Sequence, residues 1–217
     1  EIDEEIIKMS EKENPTFLFI GLASSFSDSY YDTMKKIYKD LGCTCTYLKK
    51  KNILNNPDIV KNKISAADII YICGGDTVKL LEDIKKYEID MLLKEALNNG
   101  TVLVGISAGA ILLSKGGYSD ALMLRGESEN YEYLEGLSFT DVNFCPHYKS
   151  SKEKDQALEN YLESNKNTKM YCLENCTALK ILDNTYQVIK SNPEKNAYLC
   201  TKETKMTETL LTTGKIN

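Results

Sequence analysis

Residues Thr101–Leu113 constrain this chain more than any other stretch. An apolar run, Thr-Val-Leu-Val, leads into Gly105-Ile106-Ser107-Ala108-Gly109, and a second apolar run, Ala-Ile-Leu-Leu, leads out. This is a Gly-x-Ser-x-Gly pattern, flanked as a strand, a sharp turn and a helix would flank it. A turn this tight forces its central residue into a strained backbone. Glycines on either side remove the side chains that would crowd it. The serine hydroxyl is then exposed at the carboxyl end of a strand, and the N–H of Ala108 points at the oxygen that would carry negative charge. The same five residues also occur by chance as a plain strand-to-helix turn, so their partners in the chain must decide.

The surrounding sequence repeats the alternation. Thr16–Leu22, Cys43–Leu48 and Asp68–Cys73 are apolar runs of strand length. Tyr30–Leu41, Asp58–Ser65, Val78–Tyr87 and Ile89–Asn98 read as helices between them, and Glu1–Asn14 as a surface helix. Strands separated by helices mean βαβ units and a parallel sheet covered on both faces, so the expected class is a three-layer α/β/α fold. Sites in such sheets form at the carboxyl ends of the strands. Three loops belong there: Ala23–Ser29, Gly74–Thr77 and Gly105–Gly109. Lys49–Lys51 reads as a solvated edge. Lys115–Gly136 is glycine-rich, charged and aperiodic, which predicts an irregular excursion, a candidate lid. Thr140–Cys145 reads as a strand ending at Pro146-His147-Tyr148, and Lys152–Asn165 as a polar helix. Met170–Leu173, Ala178–Leu182, Thr185–Ile189 and Ala197–Cys200 are short strand-like runs that predict antiparallel hairpins. No repeat or linker interrupts residues 1–217, so one domain is expected.

Composition narrows the function. The formal charge is −5 with no large basic block, which argues against nucleic acid. No run approaches the length of a membrane span, and no segment reads as a secretory signal. Glu1 is not an initiator methionine, which suggests a trimmed chain. Seven scattered cysteines, an odd number, read as reduced thiols of a cytoplasmic protein. There is no Cys-x-x-Cys pair and only one histidine, so no structural zinc site is expected.

A serine nucleophile needs a base that titrates near neutrality, and His147 is the only histidine available. A carboxylate should hold its ring in one tautomer. Glu174, directly after the Met170–Leu173 run, fits; Asp120, Glu127, Glu129 and Asp141 remain rivals. Gly74-Gly75-Asp76-Thr77 offers a second oxyanion donor, because adjacent glycines let the backbone approach a substrate. The same residues also read as a turn with Asp76 or Thr77 as N-cap.

Three motifs taken together, Ile-Cys-Gly-Gly-Asp-Thr, Val-Gly-Ile-Ser-Ala-Gly-Ala and Asn-Phe-Cys-Pro-His-Tyr, resemble the peptidase E (aspartyl dipeptidase) and cyanophycinase-related family of serine peptidases, whose fold is similar to that of class I glutamine amidotransferases. The resemblance covers roughly Phe17 to Ile189. It implies a Ser107–His147–Glu174 triad, oxyanion donors on the N–H groups of Gly75 and Ala108, a short peptide as substrate, no cofactor, and an N-terminal strand before residue 1. Two departures bear on specificity. Asp76 stands where peptidase E has asparagine. Lys154 stands about where peptidase E carries the arginine that reads an N-terminal aspartate, and lysine lacks the bidentate fork. The reading is a cytoplasmic serine peptidase of short peptides without nucleic-acid or membrane partners, with Asp76, Glu127 and Glu129 as candidate anchors for the free amine of a peptide. An esterase or amidase on the same fold, or a binding protein that kept it, are the alternatives.

Overall fold

The structure, a computed structural model, describes residues 1–25 and 27–216. It divides into two compact units, Asp3–Leu112 and the rest of the chain from Leu113 onward with Glu1–Ile2. No linker marks the division, which falls inside a helix.

The first unit is the βαβ half. Its elements are α1 (Ile2–Met9), β1 (Thr16–Ile20), α2 (Ser27–Asp40), β2 (Thr44–Leu48), α3 (Lys50–Asn55), α4 (Pro57–Ser65), β3 (Ile69–Ile72), α5 (Thr77–Lys86), α6 (Ile89–Asn98), β4 (Val102–Gly105) and α7 (Ala108–Leu113), which crosses the boundary. The four strands form a parallel sheet in the order β2-β1-β3-β4. Phe17, Leu18, Phe19 and Ile20 of β1 and Ile69, Ile70 and Ile72 of β3 are fully buried, as expected of parallel strands covered on both faces. Each such side chain contributes about 1.5–3 kcal/mol of hydrophobic burial. Tyr38 stacks on Phe17 with ring centroids 3.9 Å apart and donates its hydroxyl to Asp3 at 2.9 Å, tying α2 to the start of the chain. The lysine run is not simply a solvated edge. Lys50 holds both carboxylate oxygens of the buried Asp83 on α5, at 3.0 and 2.9 Å.

The second unit carries β5 (Gly116–Ser119), α8 (Ala121–Leu124), β6 (Glu132–Glu135), β7 (Asn143–Cys145), α9 (Lys152–Ser164), β8 (Met170–Leu173), β9 (Thr177–Leu182), β10 (Thr185–Lys190), β11 (Ala197–Lys202), β12 (Met206–Leu210) and β13 (Thr213–Lys215). One sheet runs β12-β11-β8-β7-β5-β6 and mixes parallel (β5-β7-β8) with antiparallel pairs, and a second, β13-β10-β9, is antiparallel. The α/β class and the antiparallel C-terminal hairpins are those expected. The irregular excursion is not: Lys115–Gly136 contains β5, α8 and β6, and β5 is buried throughout. Its sequence, Gly-Gly-Tyr-Ser, lacks the apolar run that identifies a buried strand. Gly116 is there because a Cβ would strike the Tyr133 hydroxyl and the backbone of β6. Among the described residues, no helix is long and apolar enough to cross a membrane.

Candidate active site

The first unit gathers two of the three loops around the serine. Ser107 lies between β4 and α7 with φ +52°, a left-handed backbone that a side-chain-bearing residue rarely adopts. The neighbouring glycines explain how it is held. A Cβ at Gly105 would run into the backbone of Gly109, and one at Gly109 into the carbonyl oxygen of Ile72 on β3. The first turn of α7 therefore lies directly on the sheet backbone, and no larger residue fits at either position. Gly109 and Ala110 donate back to Ile106 and Ser107 at 2.9 and 3.0 Å, which closes the turn. Ala108 opens α7, so its N–H has no acceptor within its own helix.

Gly74–Thr77 lies against this turn. A Cβ on Gly74 would stand 3.1 Å from Cβ of Ser107 and 3.2 Å from the carbonyl oxygen of Ile106. Gly75 has φ +137°, and a Cβ there would meet the carbonyl of Ala23, so glycine is required on both counts. Asp76 donates its N–H to that same carbonyl at 2.9 Å and caps α5 by accepting from the Lys79 N–H at 2.9 Å. Its side chain thus has the structural role open to it in the sequence. Cys73, buried behind the loop, has its thiol pushed up by burial.

The second unit carries the histidine. His147 is exposed on a short turn after β7, and it also has a left-handed backbone, φ +56°. Asn175 and Glu174 follow β8, the parallel neighbour of β7, so the pairing of Cys145 with Cys172 carries both ends of this site. The group on His147 Nδ1 is the side-chain oxygen of Asn175, at 2.6 Å. Glu174, one residue earlier, accepts from the Asn196 N–H at 2.9 Å and from the Lys195 ammonium at 3.3 Å. The family resemblance points to Glu174 as the acid. Asn175 carries no sequence signal of its own, because an amide does not read as a charge partner, although it too can accept from Nδ1–H. The rival carboxylates are placed otherwise. Glu127 pairs with Arg125 at 3.7 Å, Asp141 with Lys115 at 3.0 Å, Asp120 precedes α8, and Glu129 is exposed.

Lys154 is in the first turn of α9, whose N-cap Ser151 accepts from its N–H at 3.2 Å. Its side chain is buried, with the ammonium 5.6 Å from the centroid of Tyr131. Cys145, just before the histidine turn, has its thiol held below the ordinary range by the Cys172 thiol and, less strongly, by Lys154. Among the described residues, no group of three or more His, Cys, Asp or Glu side chains is arranged to hold a metal ion.

A serine with a left-handed backbone between a parallel strand and a helix, on an α/β fold, is the arrangement expected of a serine hydrolase. The profile of peptidase family S51 matches residues 1–189, and the chain belongs to that family: it is a serine peptidase. The chain is 30% identical over 200 residues to an uncharacterized peptidase of Bacillus subtilis (strain 168), YgaJ, covering 91% of this chain and 83% of the relative. It is 26% identical over 171 residues to peptidase E of Haemophilus influenzae (strain ATCC 51907 / DSM 11121 / KW20 / Rd), covering 75% and 73%. The crystal structure of a peptidase from an acI-B1 Actinobacterium superposes with a TM-score of 0.72 at 21% identity, over 99% of this chain and 89% of that one.

Proposed function

We propose that this peptidase hydrolyses short peptides through an acyl-enzyme, with Ser107 as nucleophile and His147 as base. His147 Nε2 takes the hydroxyl proton as Ser107 Oγ attacks the scissile carbonyl. The N–H groups of Gly75 and Ala108 receive the developing oxyanion, each donor contributing about 3–4 kcal/mol to the transition state. His147 returns the proton to the leaving amine, and a water that it then deprotonates releases the acyl group. The observation that carries this reading is the left-handed Ser107 in a turn built by Gly105 and Gly109.

Nδ1 of His147 needs an acceptor so that Nε2 keeps its lone pair. Glu174 is the acid that the family resemblance implies, but the 2.6 Å contact favours Asn175 as the orienting group, with Glu174 anchoring the turn through Lys195 and Asn196. A neutral orienter still selects the tautomer, as in Cys-His-Asn peptidases. Lys154 offers a substrate carboxylate charge without a fork, so strict Asp-X preference is not expected. The work is cytoplasmic, in keeping with seven free cysteines, and calls on no nucleic acid, membrane or cofactor.

The test is hydrolysis of Asp-X, Glu-X, Lys-X and Leu-X dipeptides, beside small esters and amides, by the wild type and Ser107→Ala. The reading expects dipeptide cleavage that falls about 10⁴-fold or more in the variant. Cleavage of esters alone would make the protein an esterase on the same fold. Peptide hydrolysis that survives Ser107→Ala would refute the mechanism.

A further inference from the structure

We propose that Glu208, on the C-terminal edge strand β12, is a positioning residue for His147. The proposal rests on His147 being the catalytic base, and it concerns a stretch beyond residues 1–189, which the family profile covers.

The histidine turn is strained twice. His147 and Lys149 both have left-handed backbones, with φ +56° and +58°, and Tyr148 lies between them. Side-chain-bearing residues keep such conformations only where their surroundings over-determine them. Part of the restraint is backbone: the Tyr148 N–H donates to the Leu173 carbonyl at 2.8 Å, and the Ser150 N–H to the His147 carbonyl at 3.2 Å. Asp155 of α9 accepts from the Lys149 N–H at 3.1 Å. Glu208 supplies the rest. One carboxylate oxygen accepts from the Tyr148 hydroxyl and the other from the Lys149 ammonium, each at 2.7 Å. The ammonium also lies 3.9 Å from the centroid of Tyr198 on β11, which fixes the Lys149 side chain from a third direction. One residue thus grips the two that follow His147.

Strand β12 fits this role and explains the residue type. Its residues after Met206, Glu208 included, are exposed, and Glu208 pairs with Cys200, which lies in the same buried cluster as Tyr148. A charged residue on an edge strand either blocks aggregation or serves a partner. Here both oxygens have partners, and both partners belong to the histidine turn. Partial burial pushes Glu208 up, but the hydrogen bonds from Lys149 and Tyr148 outweigh it and hold the carboxyl below its ordinary value. Burial, reinforced by Glu208, pushes the Tyr148 hydroxyl well up, so it remains a donor.

The experiment compares Glu208→Ala and Glu208→Gln with Glu203→Gln, a charge control in the same hairpin, by peptide kinetics and by NMR of the histidine ring. His147 is the only histidine, so its ring signals need no assignment. Misplacing a catalytic group by about 1 Å costs up to about 100-fold, so Glu208→Ala should lose about 10- to 100-fold in kcat with KM little changed. Glu208→Gln, which keeps the Tyr148 bond, should lose less. The His147 signals should move in both Glu208 variants and stay in Glu203→Gln. If Glu208→Ala does not fold, Tyr148→Phe and Lys149→Met each remove one arm of the grip and should move the same signals. Folded variants with wild-type His147 signals and wild-type kcat would overturn the proposal, even if their Tm fell. A wild type that cleaves no peptide would instead count against the proposed function, and the NMR comparison would still decide whether Glu208 positions the ring.

Discussion

Ser107 and His147 share an uncommon backbone, φ +52° and +56°, but different surroundings impose it. At Ser107 the restraint is steric. Main chain lies on main chain at Gly105, Gly109 and Gly75, where a single Cβ would overlap a carbonyl oxygen. At His147 the restraint is polar. No glycine adjoins it, and the turn is held by the side chains of Asn175, Asp155 and Glu208. The parallel half can work this way because its strands are buried and its helices begin on the sheet backbone. In the second half no glycine brings main chain onto main chain at the histidine turn, which is held by ion pairs and hydrogen bonds, one of these to the Leu173 carbonyl of the buried β8. The serine turn should therefore tolerate changes in pH but not in volume, and the histidine turn the reverse.

The largest effect expected from this difference is at the serine turn. Gly109→Ala places a methyl against the Ile72 carbonyl and should cost about 3 kcal/mol, the upper end for overpacking, read as a lower urea midpoint. A variant with wild-type stability would break the steric half of the comparison. Next is Asn175→Ala, expected to lower kcat/KM about 100-fold with little change in Tm, a loss well short of the ~10⁴ seen when an acidic triad member is neutralised. Asn175→Asp should retain activity and move the acid limb of the pH–rate profile upward, because a carboxylate stabilises the imidazolium. Glu174→Gln should cost activity less than Asn175→Ala; the opposite order would return the orienting role to Glu174.

A smaller effect sharpens the comparison from the other side, because the parallel half also contains a polar device. Asp83→Ala removes the buried partner of Lys50, whose side chain is 48% exposed and can turn to water. The expected loss is therefore about 1–2 kcal/mol, below the ~3–5 kcal/mol of a pair whose surviving charge stays buried. Smallest is the acid dependence at Glu208. Its carboxyl titrates lower in the folded chain than in the unfolded one, so its stabilisation is present above the ordinary carboxylate range and lost as pH falls through the lowered value. With a third of the side chain exposed, the pair is worth about 1 kcal/mol or less. Glu208→Gln should flatten that part of the acid unfolding curve, measured by circular dichroism, and lower stability at neutral pH by no more than about 1 kcal/mol.

The same contrast explains what could be read in advance. Continuous apolar runs such as Ile69–Ile72 are strands whatever their context, and the Gly-x-Ser-x-Gly turn carries its steric reason in its glycines. The strands β5 and β12 do not announce themselves, since Gly-Gly-Tyr-Ser and Met-Thr-Glu-Thr-Leu become strands only through their neighbours. At the site, His147 was legible because it has no competitor. Asn175 was not, since the role proposed for it depends on an amide oxygen reaching Nδ1 from the neighbouring strand, and nothing local in Leu-Glu-Asn-Cys distinguishes it from Glu174. Glu208 was still further from view, 61 residues from the histidine.

The central claim is that Ser107 is a nucleophile activated by His147. A fluorophosphonate probe tests it most directly, with the modified residue located by peptide mass mapping. The account predicts a single label on Ser107, absent in Ser107→Ala and strongly slowed in His147→Ala. A wild type that takes no label, or a label that persists in Ser107→Ala, would contradict it.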